Sequence, residues 1–123
     1  MAPPTADLLY LPAADRDVAY RIDYTRDADA DLAHTRRRDG AGAEIAIRRA
    51  IPRYLVDEPA IDRGARKALD PNPLDAGWRL QLGNYRVLYD VDEDASTVTI
   101  LRVGSKPRET LSLRGQPFPM RVD

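Results

Sequence analysis

The chain of 123 residues contains no cysteine, so disulfides and thiolate metal sites are excluded and nothing marks an oxidising compartment. Histidine occurs once, at His34, and a single imidazole does not make a metal centre. Lysine is almost as scarce, present only at Lys67 and Lys106. No apolar run approaches the roughly 18 residues that a membrane span requires. The opening MAPPTADLLYLPAADRD lacks the basic start and apolar stretch of a secretory signal, so a cytoplasmic protein with no membrane partner is expected. A surplus of either charge is also missing: 19 basic and 20 acidic residues leave a net charge of -1. That removes the broad basic excess which normally drives nonspecific nucleic-acid binding.

What is present fits one globular core. Apolar residues make up 43% and charged residues 32%, ordinary proportions for a folded domain of this length. The charge is unevenly spread. Residues 1 to 35 hold three Arg against seven Asp, whereas residues 36 to 67 hold nine basic side chains against five acidic ones. The expected organisation is a loose extension over 1–16, rich in Pro and Ala, a folded domain over 17–113, and a tail over 114–123. In the extension, Leu8, Leu9, Tyr10 and Leu11 are the residues able to dock onto the body.

Alternation in VAYRIDY, with Val18, Tyr20, Ile22 and Tyr24 on one face, predicts a strand over 18–24. Thr25 is placed to cap a helix running to about Arg38. Its first turn carries Asp27, Asp29 and Asp31 and its last turn Arg36, Arg37 and Arg38, the order that the helix dipole favours. GAG at 40–42 breaks this helix. A second is predicted from about 43 to 56 on the spacing of Ile47, Ile51, Tyr54 and Leu55, with Pro52 expected to kink or shorten it. A short helical turn is expected after Pro59, then strands over 77–82, 85–91 and 97–103. Gly83 and Asn84 form the two-residue turn between the first two of these.

That turn sets the register of the stretch WRLQLGNYRVLYDV: Leu82 meets Tyr85, Gln81 meets Arg86, Leu80 meets Val87, Arg79 meets Leu88 and Trp78 meets Tyr89. Trp78, Leu80, Leu82, Tyr85, Val87, Tyr89 and Val91 then share an apolar face. Arg79, Gln81 and Arg86 share the other, which is expected to be wet. If Val91 meets Thr97 across the following turn, Arg102 falls opposite Arg86. Like charges directly opposed on a sheet repel by some tenths of a kcal/mol, roughly. Two arrangements relieve that repulsion: acidic neighbours, for which Asp90 and Glu109 are the candidates, or a bound anion such as phosphate. Lys106 and Arg108, just beyond the last strand, add to the cationic set.

The order strand, helix, helix, three antiparallel strands, ending in WRLQLGNYRVLYDVDEDASTVTILRVGSKPRE, resembles the RelE/ParE superfamily of type II toxin-antitoxin toxins over about residues 18–111. The most specific part is WRLQLGNYRVLYDV followed by VTILRVGSKPRE, which looks like that superfamily's W-R-L-R-V-G-x-Y-R-V-x-Y block and its closing V-x-R-V-G-(H/K)-R-x-x-x-Y strand and tail. The resemblance implies an α+β RelE-like fold, with two N-terminal helices packed on a small antiparallel sheet (β-α-α-β-β-β) and a possible short C-terminal helix. It implies a bacterial toxin held by a cognate antitoxin. In the ribonuclease branch it implies ribosome-dependent cleavage of mRNA by attack of a ribose 2'-hydroxyl on phosphate, with no metal and no cofactor. The alternatives are a non-enzymatic ParE-like toxin that binds DNA gyrase and a degenerate member that only binds its antitoxin.

Such cleavage needs cations at the phosphate, a base and an acid. On the resemblance, Arg86 holds the phosphate, Lys106 takes the basic position after the last strand's glycine, and Glu109 is the nearby carboxylate, making these three the catalytic candidates. Arg79, Gln81, Arg102 and Arg108 are the substrate-binding candidates. Two departures stand out: SKPRETLSL contains neither the Tyr nor the His of ribonuclease members, and Gln81 replaces a second basic residue. His34 reads as an exposed structural residue of the first helix. The RRR at 36–38 reads as a helix C-terminus, and DEDAS as a turn without the spacing or glycine of a metal loop.

Overall fold

The computed structural model describes residues 19–122. The expectations for residues 1–16, and the first residue of the predicted 18–24 strand, lie outside the described residues. Strand β1 (Arg21–Tyr24) leads into α1 (Arg26–Asp39) and α2 (Ala41–Leu55). Six strands follow: β2 (Arg66–Ala68), β3 (Trp78–Leu82), β4 (Tyr85–Asp92), β5 (Thr97–Ser105), β6 (Leu111–Leu113) and β7 (Gln116–Phe118).

The first helix begins as its sequence predicts. Thr25 Oγ1 accepts the Ala28 N–H at 3.0 Å, satisfying one of the amides that a helix start leaves open. Gly40, at φ 100°, ends it and donates to the Arg36 carbonyl. Pro52 does not shorten the start of α2, which begins at Ala41. It sits in the final turn, and Val56 N–H still closes onto the Pro52 carbonyl at 3.1 Å.

One sheet runs β2-β3-β4-β5-β6-β7, and β1 pairs in parallel with the first half of β5. The β3–β4 pairing is the one the turn dictates, from Trp78↔Tyr89 to Leu82↔Tyr85. Only Gly83 has positive φ (60°) there, the arrangement of a tight hairpin with glycine at its first central position. Trp78 stacks on Tyr89 with ring centroids 6.4 Å apart.

The β4–β5 register differs from the sequence expectation in two steps. The turn pairs Asp92, not Val91, with Thr97, and a bulge between Leu88 and Tyr89 leaves Leu101 as the extra residue. Each step is a slip of one residue, so Arg86 faces Gly104 and Arg102 faces Leu88. The opposed arginine pair does not form. Two further expectations are corrected: residues 66–68 form a strand after Pro59 and 60–65 form no helix, and the chain after 110 makes the β6–β7 hairpin in place of a short C-terminal helix.

That hairpin overturns the idea of a wet sheet face and a tail. On the helix side, Leu80, Val87, Tyr89, Val98, Ile100 and Val103 pack against Ala28, Leu32, Ile47, Ile51 and Leu55. On the other side, Leu88 is covered by Leu111, Leu113, Met120 and Val122, with Ala76 beside them. The physical reason is that LSL and the following M-R-V alternate in the same way as a strand, so each presents an apolar face that gains by covering Leu88. Gly104 makes the approach possible: a Cβ there would lie 2.5 Å from the Ser112 carbonyl oxygen. Among the described residues, no helix is long and apolar enough to cross a membrane.

Candidate functional site

The cationic residues singled out by sequence are split by the fold into three environments. Arg86, 5% exposed, donates from Nη1 to the carbonyls of Gly83 at 2.7 Å and Tyr85 at 3.0 Å, so it braces the β3–β4 turn. Lys106 comes to the same turn through its backbone, its N–H donating to the Asn84 carbonyl at 2.8 Å. Gln81, exposed, pairs with Arg86 across the strands. The fold therefore brings Arg86, Lys106 and Gln81 together, with Arg108 and Glu109 following on the exposed connection to β6. Arg108 and Glu109 line an open groove of about 750 Å³ with Pro107, Thr110, Leu111 and Pro117.

Arg79 is held elsewhere. Its Nε donates to the Val122 carbonyl and its Nη1 to the Ala65 carbonyl, both at 2.8 Å, and it is 7% exposed. Asp90, an expected partner for the arginines, instead accepts the Gly77 N–H at 2.7 Å.

Arg102 meets a carboxylate that sequence reasoning did not single out as a partner. Asp31, on α1, is 1% exposed and accepts from Arg102 Nε at 2.7 Å, Arg102 Nη2 at 2.9 Å, the Val103 N–H at 2.9 Å and Arg114 Nε at 2.8 Å. Arg114 also reaches Asp27 at 2.9 Å. The hydrogen bonds it donates to Asp31 hold the Arg102 guanidinium above its usual pKa, against the opposing effect of burial. One carboxylate thus joins α1, β5 and the β6–β7 turn. A signal for it exists in the sequence: Asp31 lies on the α1 stripe of Ala28, Leu32 and Thr35, the face that is buried.

A second polar group lies at the C-terminal end of α1. The Tyr85 hydroxyl donates to Asp39, which Arg38 also grips at 3.1 Å. The hydrogen bond from Tyr85, then that from Arg38, lowers the Asp39 pKa, while burial and then the Asp39 partner raise that of Tyr85. A narrow cleft next to it is lined by His34, Arg38, Tyr85, Ser105 and Arg114. His34 is half-buried there, and its Nε2 is buried with no hydrogen-bond partner among the described residues. Among the described residues, no group of three or more His, Asp or Glu is placed to hold a metal ion.

Two helices packed on one face of a curled, mainly antiparallel sheet define the RelE-like class of toxin folds. The structure of the RelBE2 toxin-antitoxin complex from Mycobacterium tuberculosis is similar at 28% identity and a TM-score of 0.59, covering 74% of this chain and 95% of that one. The isolated RelE toxin of E. coli shares the fold at 22% identity and a TM-score of 0.54, covering 73% and 87%. The family model described as the ParE toxin of the type II toxin-antitoxin system parDE matches residues 22–109, and the chain belongs to that family. The match stops short of the β6–β7 hairpin. No curated protein matches the chain significantly.

Proposed function

We propose that this toxin-family protein is the toxin of a type II pair, restrained by a cognate antitoxin in the cytoplasm, and that it acts by binding a macromolecular target, DNA gyrase, and not by cleaving RNA. The match to the ParE toxin family over residues 22–109 favours this branch, and the commitment of the arginines to the protein itself weighs against cleavage. Arg79 is bonded to Val122 and Ala65, Arg86 to the turn carbonyls, and Arg102 to Asp31. Cleavage by 2'-hydroxyl attack asks for preorganised cations aimed at one phosphate, together with an acid and a base. Glu109 is the carboxylate nearest in sequence to the basic cluster. It sits exposed on the connection between β5 and β6. An antitoxin partner is supported by the similar RelBE2 structure, which is of a toxin-antitoxin complex.

The second reading is a ribosome-dependent endoribonuclease that binds mRNA on the ribosome. It is favoured by the grouping of Arg86, Lys106 and Gln81 at the β3–β4 turn. In that reading Arg86 and Lys106 hold phosphate, Glu109 moves the proton, and Arg79, Arg102 and Arg108 position the strand. One pair of assays separates the two. Purified protein is expected to inhibit gyrase supercoiling and to leave mRNA intact on translating ribosomes; transcripts cut on the ribosome, with cutting abolished by Arg86→Ala, would reverse the choice.

A further inference from the structure

The apolar floor on the helix-free face of the sheet is closed by the last four described residues. Exposure alternates along them: Pro119 and Arg121 face solvent while Met120 and Val122 are buried. The two buried side chains join Leu88, Ala76, Leu111 and Leu113. Three hydrogen bonds engage their main chain: Arg79 Nε donates to the Val122 carbonyl at 2.8 Å, Leu111 N–H reaches the Met120 carbonyl at 3.5 Å, and Met120 N–H donates locally to the Phe118 carbonyl at 2.7 Å. No strand ladder holds these four residues, because β7 ends at Phe118. A groove of about 670 Å³ runs along their flank, between Pro119–Arg121 and residues 67–73. Alternate side chains seated on an apolar floor, with a carbonyl gripped by a fixed cation, is how proteins hold an extended peptide.

We infer that this face is a groove for an extended segment with apolar side chains two positions apart, and that the chain's own residues 119–122 fill it as an autoinhibitory strap. Release of the strap opens the part of the apolar floor that Met120 and Val122 cover and withdraws the Val122 carbonyl from Arg79 Nε. It leaves the helix-side core intact, and the β6–β7 hairpin stays anchored by Arg114 on Asp31. Opening is thus a local event that costs less than global unfolding. A partner presenting the same alternation competes for the floor, and its apparent affinity is reduced by the fraction of chains in which the groove stands open. That the strap withholds a target-binding face rests on the toxin reading; the groove itself does not.

The test is a chain ending at Phe118, probed with a fluorescent peptide of residues 119–123. Near-ultraviolet circular dichroism of Trp78 reports whether the shortened chain is folded. The peptide is expected to bind it at least tenfold more tightly than it binds the full chain, and a peptide with Ser in place of Met and Val is expected not to bind. A folded shortened chain that ignores the peptide, or equal binding by both chains, overturns the proposal. Should the shortened chain fail to fold, Leu88→Cys in the full chain supplies the only thiol. Its reaction with a disulfide reagent is expected to outpace global unfolding at least 100-fold and to quicken a further tenfold with Met120→Ser and Val122→Ser. Reaction only at the rate of global unfolding overturns the strap. If full and shortened chains are both inert towards gyrase, the gyrase reading falls while the peptide result stands.

Discussion

Replacing Asp31 by asparagine changes almost no volume and removes one charge. Because Asp31 is 1% exposed and accepts four hydrogen bonds, the change strands cations that water does not fully reach. Arg102 retains 17% side-chain exposure and loses a bidentate partner; Arg114, at 39%, is partly hydrated and is discounted accordingly. Breaking a buried ion pair from one side costs about 3–5 kcal/mol, and the hydration left to Arg114 places the expectation near the lower end, about 3 kcal/mol. In a domain of this size that corresponds to a fall in Tm of about 12 °C or more. Urea unfolding followed by tryptophan fluorescence gives the free energy, and calorimetry gives Tm. The loss should persist in 1 M salt, since buried pairs are screened far less than surface ones. As a control, Asp23→Ala breaks the exposed Arg21–Asp23 pair and should change stability by less than about 0.5 kcal/mol. A loss below about 1 kcal/mol for Asp31→Asn would refute the reasoning, because it would mean that the carboxylate is no better a partner here than a neutral amide.

Gly104→Ala puts a methyl group 2.5 Å from the Ser112 carbonyl oxygen and should cost about 1–3 kcal/mol, with hydrogen exchange faster in β6 and β7 than in β3. Tyr89, whose hydroxyl donates to the Pro59 carbonyl at 2.7 Å, is held well above the usual tyrosine pKa by burial. The unfolded chain therefore releases that proton first, so the stability contribution is complete below about pH 10 and is lost as pH rises beyond it. Urea midpoints from pH 8 to 11 should fall, and Tyr89→Phe should flatten the slope. For Asp39 the sign is opposite: its pKa is lowered, first by the Tyr85 hydroxyl, so Tyr85→Phe should move the Asp39 carboxyl resonance to titrate at higher pH by NMR. Gly83→Ala, at φ 60°, should cost about 1–2 kcal/mol and leave the β4–β5 pairing untouched.

The local elements were legible because each rested on a short-range rule. The Thr25 cap, the dipole-ordered charges of α1, the spacing of Ile47, Ile51 and Leu55, and the five pairs of the β3–β4 hairpin all follow from residues within one element or one turn. The family resemblance came from the same stretch, and the family match over 22–109 agrees with it. The candidate site was legible only in part. Gln81 beside Arg86 followed from the turn, whereas Arg79 bonds Val122, 43 residues away, and Arg102 bonds Asp31, 71 residues away.

Sequence alone determined β1, both helices and the three strands β3 to β5, and which face of β3 and β4 is apolar. Tertiary structure decided what covers the other face. A bulge at Leu88, a glycine at 104 and the alternation of Leu111, Leu113, Met120 and Val122 become a second core only when residues 111–122 fold across the sheet. Periodicity reports which side of an element avoids water, but not which distant segment will exclude it. The guanidiniums that looked free to meet a ligand are therefore engaged by carbonyls and by one buried carboxylate that only the closed chain brings within 3 Å.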